Sequence, residues 1–360
     1  MNVQEKITEI EQQISKTQVN KATEHHLGLL KAKIARLREA AEAGSGRGGG
    51  ASGFEVKKSG KATVVFIGLP SVGKSTLLNA LTDAASKTAH YAFTTLTVVP
   101  GIMDYRGAKI QLLDLPGILS GASKGRGRGR QVLAVARNAD LVLLLVDVKD
   151  ADYFDKLKEE LHNIGIRVDQ EPPNIIIEKS ERGGLTIMSD CKLTHLDERI
   201  ITSILGEYGI HSATVNFRED ATVDHLIDAL NGNRRYVPSI PVIAKIDLLT
   251  PAEQKKLDPK ALHISAEKGV GIEKLREAIY DKLRLIRIYT QSRFEKADMS
   301  KPLMMRRNAT VADLCDAVHR DLRAQFKFAE VWGASAKHPG QRVGIKHVLR
   351  EGDIVRIHNK

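Results

Sequence analysis

The strongest constraint on the fold of this chain is the stretch GLPSVGKS at residues 68–75, which has the spacing G-x-x-x-x-G-K-S. An apolar run at residues 62–67 precedes this stretch, and the segment at 76–81 has the composition of a helix. A buried strand, a glycine-containing loop and a helix in this order form the context that a phosphate-binding loop requires. We therefore predict that backbone N–H groups of the loop bind phosphate oxygens at the positive end of the following helix.

The residue types of this loop suit a nucleotide. Gly68 and Gly73 allow the backbone to curl around phosphate oxygens. Lys74 can reach the β- and γ-phosphates, and the Ser75 hydroxyl can ligate Mg²⁺. We predict a nucleotide site that contains the following loop residues: Gly68, Pro70, Ser71, Val72, Gly73, Lys74, Ser75 and Thr76.

The composition indicates a protein with a large core that does not cross a membrane. The chain has 360 residues, 42% of them hydrophobic, which is enough for about two to four domains. No apolar run approaches the roughly 20 residues of a transmembrane helix, and residues 1–5 lack a signal-peptide pattern. Cys191 and Cys315 have no Cys or His at metal-ligand spacing, so we interpret both as free thiols. We expect a cytoplasmic protein without a membrane partner.

The positive charge is concentrated in two places. The formal net charge is +11, and residues 291–360 hold 14 Lys and Arg against 8 Asp and Glu. Four more Lys and Arg lie in the short stretch KGRGRGR at residues 124–130. This distribution favours contact with a polyanion, most simply RNA, over an even surplus of solvated charge.

Changes in pattern divide the chain into segments. Continuous apolar strands separated by helices predict an α/β domain with a mostly parallel sheet and helices on both faces. The predicted segments are an N-terminal helical hairpin and glycine-rich linker (1–53), the first part of the α/β domain (54–164), an inserted α+β subdomain (165–235), the second part of the α/β domain (236–289) and a small C-terminal module (290–360). The hairpin either only packs on the next domain or also binds a partner.

Hydrophobic periodicity predicts the individual elements. The predicted helices lie at residues 3–18, 23–43, 197–208, 222–230 and 271–286, and one more begins near 310. The predicted strands lie at 62–67, 110–114, 139–147, 174–177, 185–188, 213–217, 240–247, 262–266, 303–305 and 326–332, and residues 351–357 are predicted to form a turn and a strand.

A second stretch places a metal ligand next to the phosphate loop. Asp114 ends a predicted strand and begins the sequence DLPG, which fits D-x-x-G. Its carboxylate can hold Mg²⁺ through water, and the Gly117 N–H can bond the γ-phosphate. Thr94 and Thr95 lie upstream, and one of these hydroxyls can complete the Mg²⁺ coordination when a γ-phosphate is present.

Two further stretches indicate which base is bound. Lys245 and Asp247 fit K-x-D at the end of a predicted strand. The Asp247 carboxylate can accept from guanine N1–H and the exocyclic amino group, and the Lys245 stem can cover the ring. Adenine would leave this carboxylate unpaired, which favours GTP over ATP. Ser265, Ala266 and Glu267 end the next strand and fit the element whose backbone N–H reads guanine O6.

Together these motifs resemble the Obg-type GTPases related to translation factors, and most closely their developmentally regulated GTP-binding protein (DRG) branch, which archaea and eukaryotes share. The resemblance covers essentially the whole chain and implies a P-loop GTPase domain with a C-terminal β-grasp TGS domain. It also implies GTP and GDP with Mg²⁺ as ligands, stimulation by K⁺, an archaeal source, and association with ribosomes or RNA in translation. A regulatory protein partner is also expected.

The same resemblance assigns roles to individual residues. Ser75, Thr95 and Asp114 would hold Mg²⁺, and Phe93, Thr94 and Thr95 would belong to switch I. Residues from Asp114 onward would form switch II. The residues expected to act in hydrolysis are Lys74, Thr95 and Gly117.

Three positions depart from the family pattern. Ala244 stands where Asn or Thr usually begins the base-reading motif, which would weaken guanine binding by about 1–3 kcal/mol if the lost hydrogen bonds were buried. Ser71 stands where many K⁺-dependent relatives have Asn, which leaves a K⁺ requirement open. Ile118 stands where many small GTPases have a water-orienting Gln. We therefore expect slow intrinsic hydrolysis that K⁺, a partner or a surface such as the ribosome accelerates.

The basic segments could take part in either chemistry or RNA binding. The loop at 124–130 could supply an Arg to the transition state, but its alternating Gly residues favour contact with RNA phosphates or no contact at all. Phe326, Phe328 and Trp332 could stack on bases, although a role in bracing the sheet is favoured. The preferred RNA contacts in the C-terminal module are Lys327, Arg342, Lys346 and Arg356.

The leading interpretation is a GTPase switch whose γ-phosphate orders Thr95 and Gly117 and so changes partner binding. An ATP-selective relative resembling the YchF branch is a second interpretation, which Asp247 disfavours. In a third, the protein is an RNA-binding adaptor that nucleotide only stabilises.

Overall fold

The computed structural model describes residues 3–18, 20, 23–44, 60–82, 99–115, 135, 139–232, 234–292, 297–300 and 302–359. These residues divide into two units. Among the described residues, the first unit contains 3–44 and 161–236, and the second contains 60–160 and 237–359. None of the described helices is long and apolar enough to cross a membrane.

The elements are numbered in chain order within the described residues. The helices are α1 (Val3–Lys16), α2 (Glu24–Gly44), α3 (Lys74–Leu81), α4 (Phe154–Asn163), α5 (Glu198–Glu207), α6 (Val223–Leu230), α7 (Pro251–Gln254), α8 (Ile272–Lys282), α9 (Val311–Val318) and α10 (Arg320–Ala324). The strands are β1 (Ala62–Gly68), β2 (Val99–Tyr105), β3 (Ala108–Asp114), β4 (Leu141–Asp147), β5 (Ile166–Val168), β6 (Ile175–Lys179), β7 (Leu185–Ser189), β8 (Ala213–Phe217), β9 (Arg235–Val237), β10 (Ser239–Ala244), β11 (Leu262–His263), β12 (Leu285–Thr290), β13 (Leu303–Arg306), β14 (Phe326–Trp332), β15 (Gln341–Val343) and β16 (Ile354–Asn359). Short 3₁₀ helices follow β4 (Val148–Tyr153) and β10 (Ile246–Leu248).

A six-stranded sheet in the order β11-β10-β4-β1-β3-β2 forms the centre of the second unit. Its strands are parallel except for the edge strand β2, which pairs antiparallel with β3. The predicted mostly parallel sheet is therefore confirmed. Sequence reasoning missed β2, because Pro100 and Gly101 argue against a strand and are tolerated here only at the edge. A Cβ on Gly101 would lie 2.5 Å from the Thr82 side chain, so this glycine lets the end of α3 approach the sheet.

Three predicted boundaries were wrong, each because a local backbone turn ends the element. The strand predicted at 240–247 ends at Ala244, because Lys245 adopts a positive φ of 63° and a 3₁₀ turn follows. The strand predicted at 262–266 ends at His263, since Ser265 instead bridges Val270. The helix predicted at 271–286 ends at Lys282. Arg284 then takes a φ of 50°, and β12 begins at Leu285.

The C-terminal module is a five-stranded sheet in the order β13-β12-β16-β14-β15. Parallel pairing of β12 with β16 at its centre, with antiparallel pairs around it, is the arrangement of a β-grasp fold. Helix α9 packs on this sheet through the buried side chains of Val311, Leu314 and Cys315, whereas Val318 at its end is exposed. Thr310 and Asp313 form the capping box that begins this helix.

The module is packed directly on the α/β domain within the second unit. Leu285 and Met304 belong to the same hydrophobic cluster as the central strands. Arg306 pairs with Asp140, whose other carboxylate oxygen accepts from the Thr63 N–H at 2.9 Å. Arg106 pairs with Glu277 and lies over the Tyr105 and Tyr280 rings. These contacts fix the two parts against each other at the end of β2 and β3 away from Asp114.

The first unit combines the N-terminal helices with the inserted segment. Ala32 and Ala35 of α2 lie in one buried cluster with α5 and α6. Lys31 also pairs with Asp224 at 2.9 Å, and Arg36 contacts Glu207. Helix α2 therefore packs on the inserted segment, whereas packing on the next domain in the chain was the expectation.

A three-stranded sheet in the first unit has the order β6-β8-β7. Strands β6 and β7 are neighbours in the chain and are separated by a glycine-containing turn. However, β8 lies between them, antiparallel to β6 and parallel to β7. Alternating burial along β8 places Ala213, Val215 and Phe217 in the core under the helices.

A buried charged cluster lies where β5 and α6 meet. Arg167 donates to both carboxylate oxygens of Asp228, at 2.5 and 2.6 Å, and both side chains are about 95% buried. Arg234 and the Tyr236 hydroxyl also donate to this carboxylate. Burial, followed by the Arg167 charge, lowers the pKa of the adjacent His162 to about 4. Because Arg167 and Arg234 share the Asp228 carboxylate, this residue supplies the negative charge that compensates the buried guanidinium groups.

Candidate nucleotide-binding site

The loop between β1 and α3 presents unpaired backbone donors. Gly73 is the residue before α3, has a φ of 96°, and provides no side-chain cap. Ser71 also has a positive φ, of 61°. The first N–H groups of α3 have no partner inside the helix. The predicted curl of the backbone at Gly73 is thus observed, and N–H groups at such a helix start are suited to bind an anion.

Gly68 is required for a different reason from the one expected. It ends β1 opposite Leu145 of β4, and a Cβ placed on it would lie 2.3 Å from the Leu145 carbonyl oxygen. Its φ is not among the positive values found in the loop. Close strand packing, rather than curling of the backbone, therefore selects glycine at position 68.

Lys74, Ser75 and Asp114 come together as the sequence predicts. The Lys74 ammonium donates to the carbonyl oxygens of Gly68 and Leu69 at 3.1 and 2.8 Å. Burial lowers the pKa of Lys74, and the nearby Asp114 charge partly opposes this shift. Ser75 Oγ lies 2.8 Å from Asp114 Oδ2.

The donor set beside Ser75 fits Mg²⁺. Asp114 is 3% exposed, and its second oxygen, Oδ1, has no hydrogen-bond partner within the described part of the chain. A buried carboxylate oxygen that lacks a partner, next to a hydroxyl, offers the hard oxygen ligands that Mg²⁺ prefers. In the described residues there is no cluster of three or more His, Cys, Asp or Glu arranged for a metal, so a site here would rely on water or phosphate ligands as well.

The loop and both base-reading stretches line one cavity of about 260 Å³. The lining residues are Val72, Gly73, Thr76, Leu77, Ala244, Lys245, Asp247, Leu248, Ile264, Ala266 and Glu267. The walls are mainly apolar, with the Asp247 carboxylate at the exposed rim. A mainly apolar cavity with carboxylate acceptors at its edge and a helix N-terminus beside it suits the polarity of a purine nucleotide.

Lys245 connects the base-reading stretch to the phosphate loop. Its ammonium donates to the Ser71 carbonyl oxygen at 2.7 Å and to Asp147 Oδ2 at 2.8 Å. Burial opposes ionisation of Asp147, but hydrogen bonds from Lys245 and the Lys149 N–H outweigh it, so the pKa of Asp147 is lowered. Asp147 was not predicted as a site residue. The signal was available, because it ends a buried parallel strand as Asp114 does.

The segments around Asp247 and Ala266 are held by local hydrogen bonds. The Gln254 side chain donates to the carbonyl oxygens of Ile246 and Leu249 at 2.9 and 3.2 Å. Ser265 is buried, and its N–H donates to the Val270 carbonyl oxygen while its hydroxyl accepts from the Lys268 N–H. Ser265 therefore shapes the turn, while its neighbours Ala266 and Glu267 face the cavity.

Some predicted site residues cannot be placed. Phe93, Thr94, Thr95 and Gly117 lie outside the described residues. The same is true of Ile118 and of the loop at 124–130. The assignments of the switches, the third Mg²⁺ ligand and the hydrolytic residues therefore stay predictions.

We expect Asp147→Asn to lower the affinity for GDP about fivefold, because a partly exposed ion pair contributes roughly 1 kcal/mol. Without the carboxylate charge, Lys245 would hold the phosphate loop and the base less firmly. Calorimetric titration of GDP measures the effect. Asp150→Asn, which removes an exposed charge from the next turn, is the matched control and should bind GDP as the parent chain does. Equal affinities for the two variants would show that the Asp147–Lys245 contact does not support the site.

Known families match the chain in three consecutive ranges. Residues 63–179 match the family described as 50S ribosome-binding GTPase, and residues 182–285 match the C-terminal region of that domain. Residues 286–359 match the TGS domain. These matches confirm the predicted fold class, a P-loop GTPase domain followed by a TGS domain.

Several named proteins are similar over their full length. An uncharacterized GTP-binding protein of Methanocaldococcus jannaschii is 52% identical over 99% of this chain and 93% of its own. Developmentally-regulated G-protein 3 of Arabidopsis thaliana is 46% identical over 99% of both chains. Developmentally-regulated GTP-binding protein 2 of Mus musculus is 45% identical over 100% of both. With the phosphate loop and Asp247 facing one cavity, these similarities show that the chain belongs to the GTP-binding protein family that includes the developmentally regulated GTP-binding proteins.

Proposed function

We propose that this protein is a DRG-branch molecular switch that binds and slowly hydrolyses GTP. The observation that carries the proposal is the shared cavity, where the N-terminus of α3 and the Asp247 carboxylate lie at positions suited to the phosphates and the base of one nucleotide. The 52% identity to an archaeal protein supports an archaeal source as well.

The residues present can perform the binding steps. The N–H groups at the start of α3 would bond phosphate oxygens, and Lys74 would exchange its two carbonyl partners for phosphate. Ser75 and Asp114 would hold Mg²⁺, which neutralises phosphate charge in the transition state. Asp247 would accept from guanine N1–H and the amino group, and the Ala266 N–H would donate to O6.

The proposed switch depends on residues that the γ-phosphate would order. We propose that Thr95 and Gly117 contact it in the GTP form and are released after hydrolysis. Because Ile118 replaces a water-orienting Gln, hydrolysis is slow until K⁺ or a partner assists. The basic C-terminal module and the 124–130 loop would face a cytoplasmic RNA or ribosomal partner, which the description of the matched GTPase family supports.

Calorimetry with GDP, GTP and ATP tests the binding proposal, using the parent chain and Ala244→Asn. Both proteins are expected to select guanine nucleotides, and the substitution should tighten GDP about fivefold by restoring an amide at the pocket. Lys74→Ala is the control that should lose binding. Binding of ATP as tight as that of GTP would contradict the role of Asp247. Phosphate release with Mg²⁺, compared in K⁺ and Na⁺, then measures hydrolysis and its cation dependence.

A further inference from the structure

One face of the TGS sheet carries a ladder of planar and charged side chains. In β14 and β16 the paired residues are Phe328 with His358, Glu330 with Arg356, and Trp332 with Ile354. Arg342 of the edge strand β15 pairs with Glu330 from the other side. The alternate residues of these strands, Ala329, Val331 and Val355, are buried in the module core. The ladder therefore lies on the face away from that core.

The planar groups of this ladder are stacked on one another. The Phe328 and His358 rings are 4.4 Å apart between centroids and are inclined by 15°. The Arg342 guanidinium lies 4.6 Å from the Phe328 centroid. Because β15 and β16 flank β14, His358 and Arg342 approach Phe328 from opposite sides. Phe328 thus braces its neighbours, and the outermost planar group is Arg342, whose side chain is 72% exposed.

A single carboxylate positions the cations of this surface. Glu330, 18% exposed, lies 3.1 Å from His358 Nε2, 3.4 Å from Arg356 Nη1 and 3.8 Å from Arg342 Nε. The Arg356 guanidinium also lies 5.1 Å from the Trp332 ring centroid. The single negative charge of Glu330 faces the permanently charged guanidinium groups of Arg342 and Arg356, so this surface keeps a net positive charge. The C-terminal segment around it is also basic.

We propose that this face binds single-stranded RNA, with one base stacked on the exposed plane of Arg342 and the adjoining phosphates near Arg342 and Arg356. Unpaired bases stack on guanidinium and aromatic planes, whereas a duplex keeps its base faces covered. The His358–Phe328–Arg342 stack holds the guanidinium plane in place, and the positive charge complements the RNA backbone. The inference rests on the RNA partner proposed above and is independent of the nucleotide site.

Anisotropy of a fluorescein-labelled ten-nucleotide RNA of mixed sequence, titrated with the full chain, tests this proposal. Arg342→Lys keeps the charge and removes the plane, so affinity should fall about fivefold or more while the dependence on salt stays the same. Arg307→Lys changes an exposed Arg beside β13, at the other end of the sheet, and should bind as the parent chain does. An abasic oligonucleotide of equal length should bind more weakly than the RNA.

Four results would overturn the proposal. Equal RNA affinity for Arg342→Lys and the parent chain would show that only charge matters, as would equal binding of the abasic probe. A chain that binds GDP but not the RNA would refute this site and leave the nucleotide proposal intact. A chain that binds an acidic peptide as tightly as the RNA would assign the face to a protein partner instead.

Discussion

Asp247→Asn is expected to change the base preference of the cavity from guanine to xanthine. The Asn oxygen can still accept from N1–H, but its amide NH₂ would face the guanine amino group, donor against donor. Xanthine has a carbonyl oxygen at that position and would accept from the same NH₂. We expect GDP affinity to fall about 10- to 100-fold, because the bond to the amino group is lost and the bond to N1–H no longer has a charged acceptor, at a rim that is exposed.

Calorimetry with GDP and xanthosine diphosphate measures both sides of this exchange. Asp281→Asn, an exposed charge at the end of α8, is the matched control and should leave both affinities unchanged. A GDP affinity that Asp247→Asn does not alter would mean that the base is read elsewhere. The variant also separates base recognition from phosphate binding, because the nucleotide phosphates would keep their contacts with Lys74 and α3.

Asp228→Ala is expected to destabilise the first unit by about 3–5 kcal/mol, because it leaves Arg167 buried without a partner. The exposed pair Lys31–Asp224 gives the matched control, and Asp224→Ala should cost about 0–1 kcal/mol. Both residues lie on α6, so the comparison holds helix position nearly constant.

Urea unfolding of the full chain, monitored by hydrogen exchange at β5 and α6, measures this difference. Addition of GDP should stabilise the second unit, which contains the nucleotide site, and so distinguishes its transition from that of the first unit. A loss of less than about 1 kcal/mol for Asp228→Ala would show that water or a rearranged side chain satisfies Arg167.

Hydrophobic periodicity predicted the helices and strands well where the apolar repeat was long and turn or capping residues bounded it. β8 was predicted at 213–217 and β14 at 326–332, with the bounds observed. Prediction failed where a single backbone torsion ended an element, as at Lys245 and Arg284, whose positive φ no periodicity reveals. It also failed for β2, because an edge strand can contain the Pro and Gly that a central strand excludes.

The nucleotide site could be predicted from the sequence, because its residues lie where predicted parallel strands end. Asp114, Lys245 and Ala266 are far apart in sequence, but each lies at or just after the carboxyl end of a strand, and parallel strands bring these ends to one edge of the sheet. The partner of Lys245 could not be anticipated in the same way. Its contact with Asp147 depends on the neighbouring positions of β4 and β10, which strand order alone decides.

By itself, the sequence determined the phosphate loop, the order of the nucleotide motifs and the α/β character of the central sheet, because short-range spacing and side-chain periodicity encode them. The β-grasp fold of the C-terminal module was expected only from the resemblance to a known family. Only the tertiary structure decided that α2 packs on the inserted segment, that β8 lies between β6 and β7, and that Arg342 stacks over Phe328. These contacts join residues far apart in the chain, and they form through complementary packing and charge that no local pattern records.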